Sequence, residues 1–483
     1  MAAAASVHAN SVPRPAPANR SLINVSDAGA KGDGITDDTA AIQAAINGGT
    51  TIFFPRGTYL VKINRITLPD GVTLCGENGL SVIKTNDAPD VSLALLKAVG
   101  KKNITIESMG FATPQSIQTA LLFASCANVT IRNCQAVNCQ LIYIGSSAVA
   151  LLHANIDSAN AFFDIYSKVE KPEHYSSNIF IDGNTCVGDG VKGRGGRGLS
   201  GIFISYANNV KICNNDLTKY VHGITWWGGN ANTGGPAPNG EIYNARKCNG
   251  LTITGNTIHD VEMGGIWGSM GERVSVTGNS VAGCGDVGID FEGCIDATAT
   301  GNTVQACTTA CLCTCFNNRG IVFSGNSCAQ RVNGSYIAYI QNLLKSEGNL
   351  SVSFIGNSFT SNTGLSHVVS QGVRTFIFEG NLLHNVTVNL PKKVSANSTQ
   401  VISGNTFYFD AISKSPLTAL NFENETNDGQ LIISGNSFHC AVPQPKGSSC
   451  IVSKFNTSST HCQITNNVYS GLNYLGEYNH AAQ

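Results

Sequence analysis

Apolar and polar residues alternate over short stretches of this chain, and one phrase returns after each stretch. From residue 180 onward an apolar residue is followed by one variable residue and then by Gly-Asn. The recurring asparagines are Asn184, Asn256, Asn279, Asn302, Asn326, Asn357, Asn381, Asn405 and Asn436, with less regular copies at Asn215 and Asn467. From Asn256 their spacings are 23, 23, 24, 31, 24, 24, 31 and 31 residues. A repeat of this length is typical of a solenoid, in which each repeat stacks on its neighbour.

Short alternating runs such as 251–253 and 274–276 surround each Gly-Asn step. Such alternation predicts β-strands, and the Gly-Asn step supplies the left-handed or bent backbone of a tight corner. Leucine-rich repeats have a similar period, but they require leucine at most apolar positions, where this chain has Ile, Val, Phe and Cys. The pattern therefore favours an all-β parallel β-helix in which the stacked asparagines form a structural ladder.

The first residues follow a different pattern. Thr36 or Asp37 is placed to cap a short helix, and one apolar stripe runs along it through Ala41, Ile42, Ala45 and Ile46. We expect this helix to close the open end of the solenoid. The chain then divides into a flexible lead over 1–24, a cap over 25–65, the β-helix over 66–470 and a C-terminal tail over 471–483.

The run GAKGDGITDDTAAIQAAI, followed by IFFPRGTYLV, resembles the N-terminal signature of the pectate-lyase-like superfamily of right-handed parallel β-helices. The superfamily includes polysaccharide lyases, glycoside hydrolases and phage tailspikes. The resemblance is close over residues 25–62. Over the rest of the solenoid only the general repeat pattern is similar, without a matching motif. It implies a right-handed, single-stranded β-helix that handles carbohydrate, and it leaves the reaction open. In this interpretation Asp33, Asp37 and Asp38 are structural.

Charge and composition narrow the function further. With 30 Lys and Arg against 31 Asp and Glu, the net charge is −1, so we expect no nucleic-acid partner. No apolar run reaches the ~18 residues of a membrane span, and the first residues lack the pattern of an export signal. The phage tailspikes that the chain resembles are homotrimers. The resemblance therefore implies a homotrimer on a virion tail or in another extracellular setting.

The chain contains 17 cysteines, several of them close together. Cys311, Cys313 and Cys315 alternate, so on one strand they would share a face. Zinc sites commonly use C-x₂₋₄-C pairs, and free cysteine is among the most buried residue types. We therefore predict small buried hydrophobic residues rather than a metal site, a disulfide or a reactive thiol, and we predict no metal and no cofactor.

Candidate chemistry becomes visible when the coils are aligned on Gly223-Ile224, Gly265-Ile266 and Gly288-Ile289. If these isoleucines point inward, the residues one and three places later point outward. The outward pairs are Thr225 with Trp227, Trp267 with Ser269, and Asp290 with Glu292. The two carboxyl groups should lie on the order of 7 Å apart, near the range of inverting glycosidases, and other rotamers would bring them into the retaining range.

Aromatic and polar residues around this pair extend the candidate site. Trp226 or Trp227, together with Trp267, would offer a sugar ring a flat apolar platform. Asp286 is a third candidate catalytic residue. Together with Glu262 and Glu272 it would tune the pKa of the acid by like-charge repulsion. Longer loops at 188–198 and 227–248 flank the same coils and contain Arg197 and Asn230. The predicted substrate-binding residues are these two and the three tryptophans, with Ser269, Glu262 and Glu272. The alternative is a solvated acidic face with tryptophans packed against loops.

These residues favour an endo-acting polysaccharide depolymerase that acts by hydrolysis, and the resemblance to phage tailspikes implies a bacterial surface polysaccharide as its substrate. Asp290 or Glu292 would protonate the glycosidic oxygen, while the other carboxylate would activate water or attack the anomeric carbon. A polysaccharide lyase needs a basic residue, and the outward columns beside Asp290 contain none. The lyase remains an alternative, as does a non-catalytic solenoid that binds a glycan through Trp227, Trp267 and the loops.

Overall fold

The computed structural model describes residues 22–88, 93–115, 118–145, 172–191, 200–229, 231, 248–341, 349–390, 398–422, 429–453 and 462–475. Within these ranges, three parallel sheets, here named A, B and C, wind around one apolar core, and the strand counts below refer to the same ranges. Each turn of the chain adds one strand to each sheet, so sequence neighbours lie in different sheets. This is the parallel β-helix that the repeat predicts.

Sheet A contains 16 strands: Leu22–Asn24, Thr51–Phe53, Thr73–Cys75, Lys102–Glu107, Ala127–Arg132, Ser176–Asp182, Ala207–Cys213, Cys248–Thr254, Gly271–Thr277, Ile295–Thr300, Ile321–Ser324, Asn349–Ile355, Val373–Glu379, Thr399–Ser403, Gln430–Ser434 and Cys462–Thr465. Sheet B contains 16 shorter strands: Asp33–Asp37, Gly57–Leu60, Ser81–Lys84, Gly110–Ala112, Gln135–Val137, Thr185–Val187, Asp216–Thr218, Thr257–His259, Ser280–Ala282, Thr303–Gln305, Ser327–Gln330, Ser358–Ser361, Leu382–His384, Thr406–Phe409, Ser437–Cys440 and Val468–Ser470.

Sheet C contains 15 strands: Ile66–Thr67, Ala94–Val99, Thr119–Ala124, Gln140–Gly145, Ser200–Ser205, His222–Trp227, Ile266–Ser269, Val287–Glu292, Ala310–Cys315, Tyr336–Ile340, Ser366–Ser370, Val386–Leu390, Thr418–Phe422, Ser449–Ser453 and Asn473–Leu475. The first two strands of sheet A, the first two of sheet B and the last strand of sheet C lie outside the predicted solenoid boundaries of 66 and 470.

The asparagine ladder occupies the corner between sheets A and B, as the repeat predicts. Asn279 is representative: its backbone N–H and its side-chain amide both donate to Oδ1 of Asn302, at 2.9 and 3.0 Å. The same amide donates to the backbone carbonyl of Ile253 at 3.0 Å. Because these groups are buried, the ladder satisfies polar atoms that water does not reach.

An α-helix, Thr39–Gly48, packs Ile42, Ala45 and Ile46 against the core. The predicted caps were wrong, because Asp38 occupies the N-cap position and neither Thr36 nor Asp37 does. The Asp38 carboxylate instead accepts hydrogen bonds from the backbone N–H groups of Lys31 and Gly32, at 2.7 and 3.0 Å. A 3₁₀ helix spans Pro172–His174. Among the described residues, no helix has the length and apolar content of a membrane span.

Candidate functional site

The outer face of sheet C brings the predicted carboxylates and tryptophans into two neighbouring columns. Thr225, Trp267, Asp290 and Cys313 are paired in sequence along four strands. Two residues further along the same strands, a second column pairs Trp227, Ser269, Glu292 and Cys315. Ile289 and Phe291 on the same strand belong to the core, which leaves Asp290 and Glu292 on the outer side.

Asp290 is the more deeply buried of the two carboxylates, with 4% of its surface exposed. Burial raises its pKa well above the usual range, and the negative charges of Glu292 and Asp286 raise it further. The Cys313 thiol donates a hydrogen bond to its carboxyl group. Its Oδ1 atom has no hydrogen-bond partner among the described residues. The environment therefore favours a protonated Asp290.

Glu292 is partly exposed and has a different environment. Burial raises its pKa to about 7, while a hydrogen bond from the Trp267 side chain acts in the opposite direction and stabilises the anion. The two carboxyl groups thus differ in their affinity for a proton. Near neutral pH the pair can hold one proton on Asp290 and a negative charge on Glu292, which is the arrangement that acid–base catalysis requires.

Aromatic side chains line the outer face next to the carboxylates. Trp227 and Trp267 lie with ring centroids 6.3 Å apart, and the ring of His222 stacks on Trp267 at 5.2 Å. Trp267 is partly exposed, whereas Trp227 packs in a buried outer cluster with Phe203 and other residues. Of these rings, Trp267 is the one available for a sugar to stack on.

Trp226 does not belong to this surface, which corrects one of the predicted binding residues. Its side chain is fully buried in the core, where its ring lies 6.0 Å from that of Phe291. Ile224 and Trp226 alternate with Thr225 and Trp227, so only one of the adjacent tryptophans can face outward.

The remaining predicted residues are distributed around the site. Ser269 is fully buried, and its hydroxyl accepts a hydrogen bond from the Ala231 N–H at 3.3 Å. Asp286 directly precedes the strand of Asp290 and is partly exposed. Glu262 lines a separate cavity of about 550 Å³ with Asp260 and Lys219, among other residues.

Glu272 belongs to sheet A, and its carboxylate lies 3.5 Å from the Arg273 guanidinium. The structure therefore places Glu262 and Glu272 outside the two columns that contain Asp290 and Glu292. Arg197 and Asn230 lie outside the described residues.

Two features escaped the sequence analysis. His222 is buried beside Trp267, accepts a hydrogen bond from the Gly264 N–H at 3.1 Å, and has a pKa lowered by burial to about 4. Cys313 and Cys315 face outward beside Asp290, whereas Cys311 belongs to the core. The prediction that all three cysteines share one face was therefore wrong. Asp290 and Cys313 each follow a ladder asparagine, Asn279 or Asn302, by 11 residues, and this equal spacing is the sequence signal that would have placed them side by side.

Comparisons with known proteins agree with the fold. The family model "Rhamnogalacturonase A/epimerase, pectate lyase-like" matches residues 22–183, and the model "Right handed beta helix region" matches residues 239–359. The resemblance to pectate-lyase-like right-handed β-helices is thereby confirmed.

Sequence relatives match over limited regions. The preneck appendage protein of Bacillus phage PZA is 32% identical over 136 residues, which are 25% of this chain and 16% of that protein. Mannuronan C5-epimerase AlgE4 of Azotobacter vinelandii is 44% identical over 79 residues, or 14% of each chain. The chain thus covers about one sixth or less of the length of these relatives.

Two solved structures illustrate the structural likeness. A double mutant of the tailspike protein of E. coli bacteriophage HK620, in complex with a pentasaccharide, aligns with a TM-score of 0.47 and 12% identity over 93% of this chain and 78% of that chain. The A-module of the Azotobacter vinelandii mannuronan C-5 epimerase AlgE6 aligns with a TM-score of 0.39 and 16% identity over 94% of this chain and 100% of that chain. At these identities the likeness concerns the fold alone.

Proposed function

We propose that this pectate-lyase-like β-helix is an endo-acting depolymerase that hydrolyses a bacterial surface polysaccharide on the outer face of sheet C. The observation that carries the proposal is the placement of Asp290 and Glu292 side by side on that face, next to the partly exposed ring of Trp267. The matching family model is named for a rhamnogalacturonase and an epimerase, and a matching relative is a mannuronan epimerase. These names favour a polysaccharide as the substrate class.

In the proposed reaction one sugar ring stacks on Trp267 and its glycosidic bond lies over the carboxylate pair. Asp290, which its buried environment keeps protonated, transfers its proton to the glycosidic oxygen as the bond to the anomeric carbon breaks. Glu292, an anion stabilised by the Trp267 hydrogen bond, takes a proton from water, whose oxygen bonds to the anomeric carbon. One water is consumed for each cut. Glu292 then releases its proton to solvent, and Asp290 takes one up from solvent, which restores the starting state of the pair.

The test is to incubate the protein with a panel of bacterial capsular and O-antigen polysaccharides and to weigh the products by mass spectrometry. Oligosaccharides heavier by one water per cut would support hydrolysis. Unsaturated, UV-absorbing ends would show a lyase instead. A polymer of unchanged length with altered sugars would show an epimerase, and binding without any change would leave a non-catalytic glycan-binding solenoid.

Variants connect the activity to the site. Asp290→Asn and Glu292→Gln keep the shape of each side chain and remove its acid–base function, so each should lower the rate of depolymerisation by about 10²-fold or more. Glu379→Gln is the matched control, because Glu379 is exposed on sheet A. Full activity in both site variants would disprove the assignment of these residues.

We further propose that the chain acts as a homotrimer on a virion. The phage appendage relatives match a quarter of the chain, and the resemblance to phage tailspikes suggests the trimer. Sedimentation equilibrium of the purified protein, which reports its mass in solution, would show a species of three chains if the proposal holds and a single chain if it fails.

A further inference from the structure

We infer that Asp290, Cys313 and Cys315 form a binding site for a thiophilic divalent cation such as Zn²⁺. The three side chains meet on the outer face of sheet C, because Asp290 is paired with Cys313 across neighbouring strands. One ligand atom from each residue lies within 4.8 Å of the other two, and all three residues are buried. This inference goes beyond the proposed hydrolysis and does not depend on it.

The distance between the two sulfur atoms fits a cation with tetrahedral coordination. The Sγ atoms of Cys313 and Cys315 lie 3.8 Å apart. Two thiolates bound to one Zn²⁺ at about 2.3 Å, with a tetrahedral angle between them, would also be separated by about 3.8 Å. The spacing C-x-C is shorter than that of common zinc sites, but the strand places alternate side chains on one face, and the neighbouring strand supplies the third ligand.

Asp290 supplies the independent evidence for a ligand. Its Oδ1 atom is buried without a hydrogen-bond partner among the described residues. Burying an oxygen that lacks a partner costs free energy, and a bound cation would remove that cost. Carboxylate oxygen is a regular ligand of Zn²⁺ at about 2.0–2.2 Å.

A fourth ligand is close to the same cluster. The side-chain oxygen of Gln341 lies 3.6 Å from Sγ of Cys315. An oxygen and a sulfur bound to one tetrahedral Zn²⁺ would be separated by about 3.6 Å, so Gln341 is placed to complete the coordination. The resulting ligand set contains two sulfurs and two oxygens.

The proposed cation would also affect the proposed reaction. A cation bound to the Asp290 carboxylate would occupy the group that the proposed hydrolysis uses as its acid. We therefore expect Zn²⁺ to inhibit depolymerisation and a chelator to restore it. Because cation binding is measured without any glycan, failure of the metal site and failure of the proposed hydrolysis can be told apart.

The experiment is a titration of the reduced, chelator-treated full-length protein with Co²⁺, followed by displacement with Zn²⁺. Binding at the proposed site should give a thiolate-to-cobalt absorption band and tetrahedral visible bands that saturate at one ion per chain, and Zn²⁺ should abolish both. Cys313→Ser and Cys315→Ser should each weaken binding by at least about tenfold. Asp290→Asn should weaken it as well.

Cys311→Ser is the matched control, because Cys311 is on the same strand but faces the core, and it should leave the cobalt bands unchanged. A second measurement needs no variant. Cys313 and Cys315 of the wild-type protein are alkylated with and without Zn²⁺, and Zn²⁺ should protect both thiols, as measured on the peptides that contain them. The proposal fails if the reduced protein shows no thiolate band. It also fails if the band survives in both cysteine variants, or if Zn²⁺ leaves both thiols open to alkylation.

Discussion

The indole ring of Trp226 occupies the space in which residue 268 would hold a side chain. A Cβ atom at Gly268 would lie 2.0 Å from Cδ2 and 2.1 Å from Cε2 of that ring. Trp226, Gly268 and Phe291 are successive members of one inward column, and the ring reaches across the glycine to Phe291. Glycine at this position therefore makes room for the largest side chain in the core.

Replacing this glycine tests the relationship. Gly268→Ala should lower the free energy of unfolding by about 3 kcal/mol, because the added methyl group meets a fully buried ring that has nowhere to move. Chemical denaturation would measure the change. Trp226→Leu combined with Gly268→Ala should be less damaging than the sum of the two single changes. Additive effects in that double variant would contradict the packing account.

The regular part of the architecture was predictable from sequence, and its local irregularities were not. The Gly-Asn step predicted both the length of each coil and the asparagine ladder, because the same local conformation recurs at each of these steps. Cys311 shows where strict alternation failed. Cys311 and Leu312 both face the core at the start of their strand. A strict alternation of inward and outward residues therefore placed Cys311 on the wrong side of the sheet. The position of Cys313 beside Asp290 depends on the register between coils, which the alternation within a single strand does not specify.

The asparagine ladder should be sensitive to single substitutions. Asn279→Ala removes the oxygen that accepts hydrogen bonds from the backbone and side-chain N–H groups of Asn256, each at 2.9 Å, and also removes the donor to Ile253. Because these groups are buried, we expect a loss of about 3 kcal/mol or more in the free energy of unfolding. Ser280→Ala, at the exposed neighbouring position, should change stability by at most about 0.5 kcal/mol, and an equal loss in both variants would refute the ladder's role.

Stability should depend on pH through His222. Burial beside Trp267 lowers the pKa of His222 to about 4, compared with about 6.5 for an unperturbed imidazole. Between these values the unfolded chain binds more protons than the folded chain, so stability falls as the pH falls from 6.5 to 4. The loss attributable to this residue amounts to about 3 kcal/mol at the acid end.

Unfolding measured at several pH values in wild type and in His222→Gln would isolate this contribution, since the effects of other groups cancel in the difference. Glutamine cannot titrate but can still accept the Gly264 hydrogen bond, so its stability should fall less steeply below pH 6.5. His439→Gln, at an exposed position on sheet B, serves as the control and should follow the wild-type curve. Identical curves for wild type and His222→Gln would contradict the prediction.

Trp267 combines two functions under the proposed hydrolysis, and two substitutions separate them. Its ring would bind the sugar, and its side chain donates a hydrogen bond to Glu292. Trp267→Phe retains an aromatic surface but lacks the donor, so kcat should fall about tenfold while KM changes little. Trp267→Ala loses both, so KM should rise about tenfold in addition. Tyr469→Ala removes an exposed aromatic side chain from sheet B and should alter neither constant. A loss confined to KM in the phenylalanine variant would mean that the indole N–H acts in binding rather than on the Glu292 anion.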